Sequence, residues 1–211
     1  MTVDRIKSQG VVRFSMDLGP VAAHDPASVT APREAAVLVG IVERPAGTHL
    51  LFTRRADHLE DHPGQMSFPG GGSEPVDADL SETALREARE EVGLEPSEAT
   101  IVGRLDDIRT VSEYSIRPFV GHVPDRSYEP NDGEVAEIAV LSVDALTDPA
   151  NYETECRDHP DHGSVQLHYF HVGDYTVWGA TARILTQLLE LSTEWRVPRT
   201  LDCQPETNPP A

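Results

Sequence analysis

Residues 69 to 94 read Pro69-Gly70-Gly71-Gly72-Ser73-Glu74-Pro75-Val76-Asp77-Ala78-Asp79-Leu80-Ser81-Glu82-Thr83-Ala84-Leu85-Arg86-Glu87-Ala88-Arg89-Glu90-Glu91-Val92-Gly93-Leu94. A glycine turn leads into a short helix. Asp79 with Glu82 reads as a capping pair at its start. Gly93 suits the left-handed residue at its end. Between these signals Glu87, Glu90 and Glu91 stand at i, i+3 and i+4, so their carboxylates share one helical face. Ala84, Leu85, Ala88 and Val92 fill the neighbouring arc, which can pack on a sheet and leave the acidic arc lining a cleft.

Three adjacent glutamates repel one another unless something cationic joins them. Clustered carboxylate oxygens suit Mg²⁺ or Mn²⁺, hard ions that keep several waters and take substrate phosphates as further ligands. A solvated acidic face is the plainer reading of three glutamates alone; the glycine turn and Arg86 at fixed spacing favour a site. Glu87 and Glu91 are the leading metal ligands, because i and i+4 carboxylates can converge, and Glu90 stands beside them. Arg86 is four residues from Glu90 and can orient it through a charge-assisted hydrogen bond. Gly70 and Gly71 let the backbone turn tightly before the helix.

This segment closely resembles the Nudix box, whose usual form is Gly, five residues, Glu, seven residues, then Arg-Glu-apolar-x-Glu-Glu-x-Gly-apolar. Gly71 fits the first glycine and Asp77 stands where the first acid is expected. Arg86, Glu87, Ala88, Glu90, Glu91, Gly93 and Leu94 match the rest. The gap from Asp77 to Arg86 holds eight residues, and the acid is Asp. That longer gap is similar to the coenzyme A pyrophosphatase branch. Upstream, Leu51-Phe52-Thr53-Arg54-Arg55-Ala56-Asp57-His58-Leu59 and His62-Pro63-Gly64-Gln65-Met66-Ser67-Phe68-Pro69-Gly70-Gly71 resemble that branch's second signature. Downstream, Pro118-Phe119-Val120, Glu134-Val135-Ala136-Glu137 and Trp178-Gly179-Ala180-Thr181-Ala182-Arg183-Ile184 look like its members. Glu60 departs from it, standing where typical members carry Arg or Lys.

The resemblance implies an α/β fold, the Nudix α/β/α sandwich with a mixed β-sheet between helices. It implies a Mg²⁺- or Mn²⁺-dependent hydrolase of a nucleoside diphosphate-linked substrate. Coenzyme A is favoured, giving adenosine 3′,5′-bisphosphate and 4′-phosphopantetheine. A Nudix activity on ADP-ribose, NADH or nucleoside triphosphates is the nearest alternative, and a non-catalytic nucleotide-binding Nudix module another. By position in the family, the Gly70 carbonyl is expected to be a metal ligand, with a plain turn as the alternative. Asp77 is expected to hold the loop against the helix rather than to act in catalysis. Glu134, ending a later loop, is a candidate extra ligand or general base, with a solvated loop acid as its alternative. Arg55 matches the signature's arginine; at least one of Arg54 and Arg55 is expected to bind substrate phosphate, or both pair with local acids such as Asp57. His62 is expected to be structural. His159, His162, His168 and His171 have irregular spacings that do not suggest zinc. Trp178 and Phe119 are expected to anchor the core.

The rest of the chain agrees with a single domain over 35–197, preceded by an arm or extension (1–34) and followed by a tail (198–211). Of 211 residues, 36 are acidic and 17 basic, a formal net charge of −19, and Lys7 is the only lysine. Such a surface argues against nucleic-acid or anionic-membrane binding, which need basic patches. It reads as adaptation to a high-salt cytoplasm, or as an unusually acidic mesophile. Cys156 and Cys203 form no metal-binding spacing and are expected to be free thiols in a reducing cytoplasm. No apolar run approaches the roughly 20 residues that cross a bilayer, so a cytoplasmic location is expected. The resemblance implies a small-molecule nucleotide as the partner; the sequence leaves a homodimer open.

Strands are expected at 35–42, 49–53, 99–108, 116–123 and 135–141, with a hairpin turn at Pro45-Ala46-Gly47. A short helix near Val143–Leu146 and a polar loop over 149–164 follow. A hairpin of 165–172 with 175–178 then leads into a helix over 180–191.

Overall fold

The computed structural model describes residues 16–59, 62–130, 133–159 and 163–198. The first 15 residues of the expected arm, residues 199–211 of the tail, Glu60 and His162 lie outside the described residues.

Two strands, β1 (Arg33–Arg44) and β2 (Gly47–Arg55), form a hairpin whose register runs from Gly40 opposite Leu51 to Arg44 opposite Gly47. Val39 and Ile41 of β1 point into one apolar cluster, while Ala36, Leu38 and Val42 point into another. A strand covered on both faces must be apolar almost throughout, which is why 35–42 reads as one apolar run. Two short strands, β3 (Met66–Ser67) and β4 (Gly70–Gly72), pair with β2 and with the start of β1.

The strand expected over 99–108 is two strands, β5 (Thr100–Arg104) and β6 (Ile108–Arg109). Both pair antiparallel with β7 (Tyr114–Val123), which lies parallel to β1 from Arg33 opposite Tyr114 to Val42 opposite Val123. The break between them places Asp106 and Asp107. The Asp107 side chain has no exposed surface and accepts from Arg117 at 2.9 and 2.8 Å and from Arg104 at 3.2 Å. β8 (Val135–Ser142) pairs with β2 and completes a mixed sheet.

Helices cover both faces. A single turn, α1 (Gly19–Ala22), lies beside β5. The glutamate helix α2 (Leu80–Val92) buries Ala84, Ala88 and Val92, with Leu94 beyond it, against Ala36, Leu38, Val42 and Leu51. Full burial of side chains such as Val92 and Leu94 contributes about 1.5–3 kcal/mol each. On the far face, α4 (Gly179–Ser192) buries Ile184, Leu185, Leu188 and Leu189 in the apolar cluster that also holds Val39, Ile41, Leu50 and Phe52. A one-turn helix, α3 (Val143–Leu146), follows β8 and is capped by Ser142. The architecture is the expected α/β/α sandwich around a mixed sheet.

Three expectations need correction. The loop expected over 149–164 contains a strand, β9 (Tyr152–His159), which pairs with β10 (Gly163–Val172); β11 (Tyr175–Val177) completes a separate three-stranded sheet. β9 is an edge strand with Glu153, Glu155 and Arg157 exposed, so it lacks the apolar alternation that marks a half-buried strand. Trp178 is 40% exposed and is no core anchor; the buried indole is Trp195, packed edge-on against Tyr152. Cys156 is disulfide-bonded rather than a free thiol.

The described part of the N-terminal arm is tied to the domain. Val21 is buried in the core under α4. His24 and the Ala27 backbone N–H both contact Asp106 at 2.8 Å. No helix among the described residues is long and apolar enough to cross a membrane.

Candidate active site

The helix ends are those the sequence specifies. Asp79 accepts from the N–H groups of Ser81 and Glu82, and the Glu82 carboxylate accepts from the Ala78 N–H at 2.8 Å. Gly93 closes the helix in the left-handed region at φ 64°. With both ends fixed and one arc packed on β1, the neighbouring arc of α2 faces the glycine turn of β4.

The turn meets the helix glutamates at Gly70 and Gly71. The Gly70 N–H donates to Glu91 Oε2 at 3.1 Å. A β-carbon at Gly71 would lie 2.5–2.7 Å from the Glu87 carboxylate. Gly70 has its own constraint: its φ is +158° and a side chain there would run into the Ala36 carbonyl. Gly70 is therefore required by the close approach of backbone to backbone, whereas a side chain at Gly71 would displace the Glu87 carboxylate.

Arg86 ties the face together. Its Nη1 donates to Glu87 Oε1 and to Glu90 Oε2, each at 3.0 Å. Its Nε and Nη2 donate to the two oxygens of Asp77 at 2.9 and 3.2 Å, and Nη2 also reaches the Gly72 carbonyl at 3.0 Å. Asp77 accepts in addition from the Thr83 hydroxyl at 2.8 Å and the Glu74 N–H at 3.0 Å. These donors, Arg86 first, hold the Asp77 carboxyl far below the usual carboxylate range. Arg86 is in turn held well above its ordinary value, chiefly by Asp77. Asp77 thus joins the loop before α2 to the helix itself.

Glu87 behaves differently. Burial pushes its pKa up, and the charge and hydrogen bond of Arg86 only partly offset this. Glu91 is 6% exposed. Among the described residues no three His, Cys, Asp or Glu side chains already converge as a closed metal cage. The donor chemistry nevertheless fits a hard divalent cation. Glu87, Glu90 and Glu91 offer only oxygen, and a buried glutamate with raised proton affinity is one that a cation would keep ionised.

The structure places Glu134 beside one of the two arginines: Glu134 Oε2 lies 3.7 Å from Arg55 Nη1. Arg54 lies 3.1 Å from Asp57, the local pairing foreseen as an alternative, and 3.4 Å from Glu137. Strand alternation separates the two arginines. Arg54 shares the face of Leu50 and Phe52, under α4, and Arg55 shares the face of Leu51, under α2. His62 has a left-handed backbone at φ 54°. His168 bonds the Tyr152 hydroxyl at 2.6 Å and His171 the Thr176 hydroxyl at 3.1 Å. Sequence reasoning missed Glu137 and Tyr175, whose hydroxyl donates to Glu137 at 2.5 Å. Their separation of 38 residues leaves no local signal.

The family model of the NUDIX domain matches residues 32–159. The chain belongs to the Nudix family. Its curated Nudix relatives match over most of their length. A protein described as an uncharacterized Nudix hydrolase, NudL, from Pectobacterium atrosepticum is 38% identical over 184 residues, 84% of this chain and 90% of that one. A NudL from Yersinia enterocolitica is 39% identical over 158 residues, 74% of this chain and 80% of its own. The crystal structure of a MutT/nudix family protein from Enterococcus faecalis superposes with a TM-score of 0.54 at 14% identity, over 80% of this chain and 64% of that one. That likeness shows the Nudix fold.

Proposed function

We propose that this Nudix protein is a Mg²⁺- or Mn²⁺-dependent pyrophosphohydrolase whose favoured substrate is coenzyme A or a derivative. The observation that carries the hydrolase reading is the glutamate face of α2 laid against the Gly70–Gly71 turn and tied by Arg86. Glu87, Glu90 and Glu91 would hold the metal, with the Gly70 carbonyl as a further ligand. When bound, such ions lower the pKa of the attacking water and neutralise the diphosphate oxygens. Arg86 keeps two of the carboxylates oriented and does not itself meet substrate. Arg55, on the face of β2 that α2 covers, would pair with a substrate phosphate, for which a guanidinium has the matching fork. Glu134, close to Arg55, would accept the proton of the attacking water. A P–O bond forms to that water as the diphosphate bridge breaks.

The preference for coenzyme A is supported by the residues around β2 and β3 that resemble the branch's second signature and by the eight-residue gap before Arg86. The test is hydrolysis of coenzyme A with and without Mn²⁺ or Mg²⁺ at high KCl, with products resolved by chromatography. Metal-dependent release of adenosine 3′,5′-bisphosphate is the expected result. Cleavage of ADP-ribose or NADH in place of coenzyme A would remove the branch assignment and keep the hydrolase. Binding of these nucleotides without turnover of any would mean a non-catalytic module.

A further inference from the structure

Arg54 is engaged at two of its nitrogens, and each partner comes from a different part of the chain. Nε donates to Glu137 Oε2 at 3.4 Å, and Nη1 donates to Asp57 Oδ1 at 3.1 Å. The second oxygen of Glu137 accepts from the Tyr175 hydroxyl at 2.5 Å. Tyr175 belongs to β11 of the small sheet, Glu137 to β8, and Asp57 to the loop that leaves β2. A bulge on β8 skips Ala136, so that Glu137 stands directly across from Arg54 while Arg55 stands across from Val135. Bulges of this kind re-aim side chains at a strand's end.

Gly64, where the same loop returns, completes the set. A β-carbon there would lie 3.1 Å from Asp57 Oδ1 and 3.7 Å from Arg54 Nη1, and its φ is +69°. The loop base is closed on Arg55 itself. The Gly64 N–H donates to the Arg55 carbonyl at 3.2 Å, and the Arg55 N–H donates to the Gln65 carbonyl at 3.0 Å.

We propose that Tyr175 and Glu137 are positioning residues: acting through Arg54, they pin Asp57 and so fix the loop base that sets Arg55 for a substrate phosphate. The inference rests on the reading of Arg55 as that phosphate's contact. A single half-exposed ion pair contributes at most about 1 kcal/mol and does not hold a loop. A carboxylate shared between a phenol and a guanidinium is a network, and its members couple. The Tyr175 hydroxyl occupies one Glu137 oxygen and leaves the other aimed at Arg54. Its pKa is raised, first by the bond to Glu137 and then by burial, so the phenol remains a donor at neutral pH.

The test compares the wild type with Tyr175→Phe, Glu137→Gln, Arg54→Met and the double variant Tyr175→Phe/Arg54→Met. Two readouts are needed. One is hydrogen exchange of the Asp57, Gly64 and Gln65 amides without substrate. The other is KM and kcat with Mn²⁺ for whichever of coenzyme A and ADP-ribose the wild type cleaves. Tyr175→Phe is expected to speed exchange at these amides by about tenfold. It is also expected to raise KM by about fivefold with kcat within about twofold. Glu137→Gln is expected to act in the same direction, and the double variant to be no worse than Arg54→Met alone. Unchanged exchange or unchanged KM in Tyr175→Phe, or additive effects in the double variant, would overturn the proposal. If the wild type cleaves neither substrate, the proposed activity fails separately, and the exchange rates still decide whether Tyr175 pins the loop.

Discussion

Asp77 and Arg86 face each other through two nitrogen–oxygen contacts, 2.9 and 3.2 Å long, with the Asp77 carboxylate only 4% exposed. The pair joins the loop before α2 to the middle of the helix. Asp77→Asn would leave Arg86 its bonds to Glu87 and Glu90 and weaken the two charge-assisted bonds that tie the loop to the helix. A loss of about 2 kcal/mol of stability is expected, read by urea denaturation at pH 7. A loss below about 0.5 kcal/mol would mean that Thr83 and the Glu74 N–H hold the loop without the charge.

The same pair sets a pH dependence. The Asp77 pKa is lowered in the folded protein from its ordinary value of 3.8. A lowered acid contributes stability that is complete above its unfolded pKa and lost as pH falls toward its folded one. The stability gap between wild type and Asp77→Asn should therefore be flat at neutral pH and shrink only below about pH 4. A gap that closes between pH 7 and pH 5 would point to some other titrating group.

Glu91 accepts the Gly70 N–H through one oxygen, and a glutamine can do the same. Glu91→Gln should therefore keep the fold, with a melting temperature within about 3 °C of wild type. It should lower kcat by a factor of about 10² or more if the lost negative charge holds a metal. Mn²⁺ affinity, measured by titration calorimetry, should fall in parallel. Near-normal turnover would refute Glu91 as a ligand.

Much of this site is legible in the sequence, because its parts are local. Asp79, Gly93 and the i, i+3, i+4 glutamates fix the helix within thirteen residues. The Arg86–Glu90 contact follows from helical spacing alone. The apolar run of β1 is equally plain, since that strand is covered on two faces. What the sequence hides is non-local or polar. β9 exposes its charges at a sheet edge, so its composition imitates a loop. Tyr175 meets Glu137 across two sheets, and no periodicity links them. Trp178 and Trp195 differ in burial although both border α4, because tertiary packing decides which indole is covered.

Gly71 offers a test of the turn that does not remove a carboxylate. Alanine there would place a methyl 2.5–2.7 Å from the Glu87 carboxylate, too close for either to remain where it is. The Gly71 backbone itself is not in the left-handed region, so the strain falls on Glu87. Gly71→Ala should raise the Mn²⁺ concentration for half-maximal activity by about tenfold, while stability changes by less than about 1 kcal/mol. An unaltered Mn²⁺ dependence would mean that Glu87 is free to move aside and does not hold the ion.

Arg55 offers a test of the proposed preference for coenzyme A. It lies on the face of β2 that α2 covers, with its backbone bonded at both ends of the following loop. If it meets the 3′-phosphate of coenzyme A, Arg55→Ala removes a charge-assisted contact made equally in the ground and transition states. KM for coenzyme A should rise by about tenfold with kcat little changed. Dephospho-coenzyme A lacks that phosphate, so its KM should stay within about twofold. An equal rise for both substrates would move Arg55 to the diphosphate that all Nudix substrates share, and the preference for coenzyme A would then need another residue to carry it.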